Sequence, residues 1–283
     1  MHQRLLFKKY TSIKHLVHIH FMNFLSDYTN HREILCIEDG KIPLYQGRDD
    51  EKILYISSLA LRLSRPHNSQ AMEIASEMAA YLSAHCGEIF KVKIVPPAWI
   101  YVELAHLTLA DWLHSITVEN TELKSIENNC SIINTDKLVF TIQYSHARCC
   151  SLLRLAHRER LIELVDNSLN FRDFQSAQSI PWLDDDQKLR LNQPDEVRLI
   201  QQLLKLVDDL VYPDAGISVN WGKAGLKLSQ AFDNFWCNCR IWGEVKINSW
   251  ELAQARLGLL IATQLVLRSV LETKLGAFAP LEL

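Results

Sequence analysis

The sequence has no excess of positive charge, no long apolar run and no ready catalytic motif. Its 30 Lys and Arg residues stand against 33 Asp and Glu, a net charge of −3. That argues against binding nucleic acid through a broadly basic surface, while leaving a local basic stripe open. The most apolar stretch near the start, Leu16 to Leu25, is broken by His18, His20 and Asn23. It is too short for a bilayer, which takes about 20 apolar residues, and no small-residue cleavage site follows it. A misread start or a peripheral first helix both fit. Nothing matches G-x-G-x-x-G, a Walker loop, G-x-S-x-G or H-E-x-x-H, and no acid–base pair stands out. No cofactor is expected.

Seven cysteines (Cys36, Cys86, Cys130, Cys149, Cys150, Cys237 and Cys239) include no C-x-x-C pair. Without a secretory signal, free thiols in a cytoplasmic protein are the natural reading. Cys237-x-Cys239 lacks a second ligand pair at zinc spacing and reads as small buried apolar groups. His15, His18 and His20 could ligate a metal, but no carboxylate or cysteine nearby completes the set. Asp184-Asp185-Asp186 could bind a cation, but an acidic loop run is usually solvated surface. Forty-eight per cent of the chain is hydrophobic, enough to build a core and to exclude a disordered chain.

The composition divides the chain. Residues 1–32 form an N-terminal extension, with basic Arg4, Lys8 and Lys9 at its start. Residues 33–114 read as a small α+β domain: helices over Lys52 to Leu63 and Ala71 to His85, a turn-rich break at Ser64 to Ser69, and strands at Phe90 to Val95 and Ala98 to Leu104 around Pro96-Pro97. Residues 115–135, from Ser115 to Asn129 above all, are polar and read as a linker. Residues 136–283 read as an all-α bundle. Its helices are predicted over Phe140 to Leu164, Asp195 to Val211, Lys223 to Ile241 and Ser249 to Leu275, with short helices around Phe171 to Leu191. Ser249 is the expected N-cap of the last long helix, and Gly276 its stop. The expected fold is therefore mainly α, with a small α+β domain before a helical domain.

One helix carries an unusual face. Between Gln143 and Arg160, helical spacing puts Tyr144, Arg148, Ser151, Arg154 and Arg158 on one side, and Cys149, Leu152, Leu153 and Ala156 on the other. An arginine-rich face is commonly just solvated. An aromatic beside arginines also suits stacking on an unpaired base while guanidinium groups hold phosphates. A second aromatic cluster is Phe232, Phe235 and Trp236, with Trp221 upstream and Arg240 one turn later. Aromatics at helical spacing are usually core, and one facing outward would be the exception to test.

Gln143-Tyr-Ser-His-Ala-Arg-Cys-Cys-Ser-Leu-Leu-Arg154 resembles the opening helix of the DALR anticodon-binding domain of arginyl-tRNA synthetases. Asp195 to Leu203, Leu228 to Ile241 and Ala255 to Arg268 resemble its later helices, in order, and the chain stops where the family stops. The N-terminal half resembles the additional N-terminal domain of the same synthetases through Leu54 to Leu63, Met72 to Ala79 and Pro96-Pro-Ala-Trp-Ile-Tyr-Val102, with the family's glycines and asparagine replaced.

The resemblance implies anticodon-loop contacts through Tyr144, Arg148, Arg154 and Arg158, aromatic help from Phe232 and Trp236, and a contact from Leu283, where the family usually ends in methionine. It implies a second contact, to the tRNA elbow, through Trp99 and Tyr101. The class I catalytic domain that lies between these domains in the family has no counterpart here, because only residues 115–135 occupy its place. The expected function is non-catalytic tRNA binding, arginine tRNA first, in support of aminoacylation or modification, with a synthetase or tRNA-modifying enzyme as a further partner. The alternative is a protein-interaction module on a synthetase-derived scaffold that no longer binds tRNA. From Asp136 onward, 17 basic residues face 18 acidic ones, so RNA binding would rest on the local arginine stripe.

Overall fold

A computed structural model of the chain describes residues 11–32, 42–67, 70–118, 136–164, 176, 179–214 and 216–283. They fall into two compact units, Ser12–Thr108 and Leu109–Leu283, the latter with Thr11. The basic start, Cys36, Cys130 and most of the polar stretch lie outside the described residues.

The first unit opens with α1 (Ile13–Arg32). Ser12 Oγ accepts the His15 N–H at 3.0 Å and caps it. Ile13, Val17, Phe21, Phe24, Leu25 and Tyr28 form its buried stripe, so this segment is a packed helix. Four strands follow, β1 (Leu44–Gln46), β2 (Leu54–Ser57), β3 (Phe90–Val95) and β4 (Trp99–Leu104), with α2 (Leu59–His67) and α3 (Ala71–Cys86) between β2 and β3. The sheet is antiparallel in the order β1-β2-β4-β3. Ile100, Val102 and Leu104 are buried on the side that packs against α2 and α3.

The helix predicted over Lys52 to Leu63 is two elements. Leu54–Ser57 is a strand, and the helix starts only at Leu59. Leu54, Tyr55 and Ser57 are buried, so a strand covered on both faces loses its period-two signature and imitates a helix in sequence. The Ser57 hydroxyl accepts the Leu59 N–H at 3.2 Å and marks the switch. The break expected at Ser64 lies inside α2, which runs to His67. Helix α4 (His106–Val118) likewise takes in Ser115, at the start of the polar stretch; its hydroxyl donates to the Trp112 carbonyl at 2.7 Å.

The second unit holds α5 (Asp136–Arg158), α6 (Pro194–Val211), α7 (Trp221–Asn238), α8 (Glu244–Asn248) and α9 (Trp250–Ser269), which runs into a π-helical turn over Val270–Lys274. Helix α9 is the core: from Ala255 to Leu267 every residue is buried, and α5, α6, α7 and α8 pack on it. Gly258 lets Ile180 and Trp182 approach so closely that a Cβ there would sit 2.6 Å from the indole. Ser249 begins α9 through its carbonyl, which accepts the Ala253 N–H at 3.1 Å, and its hydroxyl does not cap. Gly276 stops the helix at φ +60°, while Ala277 N–H returns to the Leu271 carbonyl at 2.8 Å.

Two expected helical stretches are not helical. Helix α5 ends at Arg158, because Arg160 takes φ +57° and Leu161 N–H turns back to Ala156. Among the described residues of 179–191 there is a tight turn, closed by Leu183 and Leu189 pairing and by Asp184 Oδ1 accepting the Lys188 N–H at 2.8 Å.

A buried ion pair joins α6 to α9. Arg256 Nε donates to Glu196 Oε1 at 2.6 Å, and both side chains are almost fully enclosed. Glu196 Oε2 also accepts the Gln193 N–H at 2.9 Å, completing a capping box at the start of α6. Arg256 further donates to the Arg240 carbonyl beyond the end of α7. Removing one partner of such a pair strands the other charge. Arg256→Leu should therefore lower the unfolding free energy by about 3–5 kcal/mol, read as a urea midpoint shift at unchanged m-value.

The segment 275–283 is bound along α5 by three side chains. Gln143 Nε2 donates to the Phe278 carbonyl at 2.8 Å. Arg154 donates to the Leu281 carbonyl at 2.9 Å. His146, fully buried, makes a 2.8 Å bond from Nδ1 to the Pro280 carbonyl, and its Nε2 lies 2.8 Å from Gln264 Nε2 on α9. A carbonyl only accepts, so Nδ1 carries the proton and Nε2 accepts from the amide. Burial pushes the His146 pKa down to about 4, against the pull of the Pro280 carbonyl and helped by Arg268. The native state thus favours the neutral ring. Its contribution is complete above the unfolded pKa of about 6.5 and is lost as pH falls toward 4. Urea unfolding at pH 7 and pH 5 should show a loss of about 2 kcal/mol from this group. The loss should be missing from His146→Gln, once the background slope shared by both proteins is subtracted.

Candidate nucleic-acid interface

The outward face of α5 carries the residues that its sequence spacing picks out. Cys149, Leu152, Leu153 and Ala156 are buried, which turns Tyr144, Arg148, Ser151 and Arg158 outward. Tyr144 is 50 % exposed. Arg148 is exposed and lies over the ring of Trp236 on α7, with its Cζ 5.4 Å from the ring centre. Trp236 in turn meets Trp242 edge to face, with centres 5.8 Å apart. A phenol, a guanidinium plane and an indole are thereby set close to solvent on two neighbouring helices.

Arg154 has a different environment. Only 24 % of its side chain is exposed; besides the Leu281 carbonyl it pairs with Glu282 Oε1 at 3.1 Å. It anchors the 275–283 segment, and it also lines a cleft of about 430 Å³ beside Arg158, His157 and Glu282. Leu283 is 65 % exposed at the end of that segment, and Phe278 is 62 % exposed within it.

One expected residue is corrected. Phe232 is only 1 % exposed and belongs with Phe235 to the core of the helical unit, so it offers no surface to a base. On α7 the outward aromatic is Trp236. The contribution of Trp242 is invisible in the sequence because it sits beyond the helix, where spacing carries no information. Gln143 and His146 were legible as letters of the family pattern, but their work, holding the 275–283 segment, requires a contact more than 130 residues away.

In the first unit, Trp99 and Tyr101 alternate along β4 with buried Ile100 and Val102, so they lie half-buried on the sheet face away from α2 and α3. Tyr101 stands opposite Lys93 on β3 and Ile56 on β2, and Ile56 faces Tyr45 on β1. Trp99 stands opposite Val95.

Among the described residues, no three His, Cys, Asp or Glu side chains converge on a possible metal site. His20 Nδ1 lies 3.1 Å from Cys86 Sγ instead. Asp186 pairs with Lys188 in the tight turn. Burial pushes the Cys150 thiol up to about 12 and the Cys239 thiol up to about 11. Such thiols are inert packing groups. Among the described residues, no helix is long and apolar enough to cross a membrane.

Comparison with known proteins places this helical unit. Residues 142–281 match the DALR anticodon binding domain. The arginine–tRNA ligase of Synechococcus sp. (strain JA-3-3Ab) is 35 % identical over 149 residues, 51 % of this chain and 22 % of that protein. The arginine–tRNA ligases of Salinibacter ruber and Moorella thermoacetica are 33 % and 29 % identical over 143 and 148 residues. The chain thus spans about a fifth of the length of the curated relatives that it matches. No solved structure matches it. The helices that hold Tyr144, Arg148 and Trp236 are therefore those of a DALR anticodon binding domain, and through its C-terminal half the chain is an arginyl-tRNA synthetase-like protein.

Proposed function

We propose that this chain is a non-catalytic tRNA-binding protein that holds the anticodon arm, of arginine tRNA first, in support of aminoacylation or modification. The observation that carries the reading is the outward set of Tyr144, Arg148 and Trp236, built on the helices that match an anticodon binding domain. Unpaired anticodon bases present flat faces, and an exposed phenol and a guanidinium stacked on an indole are suited to receive them. Arg154 and Arg158, further along the same helix, suit the phosphates that follow, and Leu283 adds apolar contact. Trp99 and Tyr101 form a second platform, for the tRNA elbow, on the other unit. Similarity to ligases covers half of the chain, and residues 142–281 match a binding domain, which supports the binding role.

A protein-interaction module without RNA binding is the competing reading. It draws on the exposed Ile247 and Trp250 around α8.

Gel-shift titration tests the proposal. The chain should bind arginine tRNA at 50 mM salt and prefer it to other tRNAs. Arg148→Ala should weaken binding roughly tenfold, since one stacked base is worth about 1–3 kcal/mol. With Arg154 and Arg158 on single-stranded phosphates, the logarithm of affinity should fall against the logarithm of salt with a slope of about −1.4. No binding at low salt, together with protein partners that survive nuclease, would establish the competing reading. Pyrophosphate exchange with ATP and arginine should stay at background.

A further inference from the structure

Among the described residues, the cleft at the far end of α5 combines basic donors with a single acid. Ser151, Arg154, His157, Arg158, Leu164 and Glu282 line it, and its volume of about 430 Å³ is that of a small ligand pocket. The chain folds back after Arg158 to form one wall. Leu164 N–H donates to His157 Nδ1 at 3.2 Å. That bond leaves Nδ1 as an acceptor, so the neutral ring carries its proton on Nε2, a further donor for the site. The Ser151 hydroxyl is spent on the Ala147 carbonyl at 3.0 Å. Arg158 is exposed and makes no ion pair among the described residues.

Glu282 is the one acidic side chain among these lining residues, and it sits on Arg154. The carboxylate is 3.1 Å from the guanidinium, yet the Glu282 side chain is 80 % exposed. An ion pair at a solvated rim is weak and easily exchanged. The neighbouring bond from Arg154 to the Leu281 carbonyl does not involve the carboxylate, so releasing Glu282 leaves Arg154 in place. A planar guanidinium accepts a phosphate with the same fork that holds a carboxylate.

We propose that this cleft is a phosphate-binding site and that Glu282 is its intrachain placeholder, lying on Arg154 until a phosphate ligand displaces it. Arg154 and Arg158 take the phosphate oxygens and His157 Nε2 donates a third hydrogen bond. The volume left over fits the sugar and base of one nucleotide. The phosphate comes either from an RNA backbone or from a free mononucleotide. The RNA source rests on the function proposed above; the anion chemistry of the cleft does not.

Calorimetric titration of the full chain separates the possibilities. The proteins are wild type, Glu282→Gln, Arg158→Ala and Arg148→Ala, each checked for an unchanged thermal midpoint. The ligands are a seven-nucleotide RNA of anticodon-loop sequence, adenosine 5′-monophosphate and inorganic phosphate. Glu282→Gln keeps the shape of the side chain and removes the competing charge. It should tighten the phosphate ligand by about threefold, the range of a rim ion pair. Arg158→Ala should weaken that ligand, and adding it to Glu282→Gln should remove the gain.

A gain with RNA alone assigns the site to backbone phosphate. A gain with the mononucleotide, with no RNA bound by any protein, upholds the cleft and overturns the proposed function. Arg148-dependent RNA binding, with Glu282→Gln and Arg158→Ala both indistinguishable from wild type for every ligand, overturns the cleft proposal alone. Weaker binding by Glu282→Gln also overturns it, because the carboxylate would then be a ligand contact and not a competitor.

Discussion

One neutral imidazole ties α5 into the bundle. His146 on α5 reaches the Pro280 carbonyl with one nitrogen and Gln264 on α9 with the other. Three segments distant in sequence meet at a ring that has no exposure to water. The arrangement requires the ring to stay uncharged, since a protonated imidazole would have no acceptor at Nε2 and would bear a charge away from solvent. It also sets the rotation of α5. With His146 pointing inward, the residues two before and two after it, Tyr144 and Arg148, lie about 200° away around the helix and must face outward. The exposed pair is thus a geometric consequence of a buried one.

The same helix then divides its polar residues between two tasks. Gln143 and Arg154 act as tethers for the 275–283 segment, at opposite ends of the contact. Tyr144, Arg148 and Arg158 have no such duty. Sequence spacing puts Arg148 and Arg154 on one stripe and gives them equal standing, but their surroundings make them unlike. Arg148 spends its charge on the face of an indole, which leaves its hydrogen-bonding edge available. Arg154 already holds a carbonyl and a carboxylate. A chain whose helical half has nearly balanced charge has little long-range attraction for an anion. Which of a few guanidinium groups is committed internally therefore matters more than their number.

The helical half was legible to a good degree because its helices are long and their patterns strong. The spans over Asp195 to Val211 and Lys223 to Ile241 lie within a few residues of α6 and α7, and Gly276 ends the last helix as its position predicts. Failures came where burial erased the pattern. Leu54 to Ser57 is covered on both faces and imitates a helical run. Phe232 and Trp236 sit one turn apart on α7, close enough on the wheel that spacing cannot separate them. What separates them is their surroundings: Phe232 is enclosed in the core, whereas Trp236 meets Arg148 and Trp242.

That contrast explains why the candidate site was only half legible. A sequence reports which side of a helix is apolar, and so it found the outward face of α5. It does not report which other segment lies along that face. The 275–283 segment runs along α5 from Gln143 to Arg154 and engages Arg154 but not Arg148, and this long-range choice makes a uniform arginine stripe chemically uneven. Around Tyr144 and Arg148 the outward face offers aromatic and guanidinium planes, suited to bases. Around Arg154 it offers a paired guanidinium and a cleft, suited to a compact anion. An RNA loop carries both chemistries in alternation, bases and phosphates, so a face graded from aromatic to ionic along one helix matches it better than a uniformly basic patch would. For the proposed function the small net charge of the chain is then no obstacle, because contacts this local would draw their selectivity from where Arg148 and Arg158 stand.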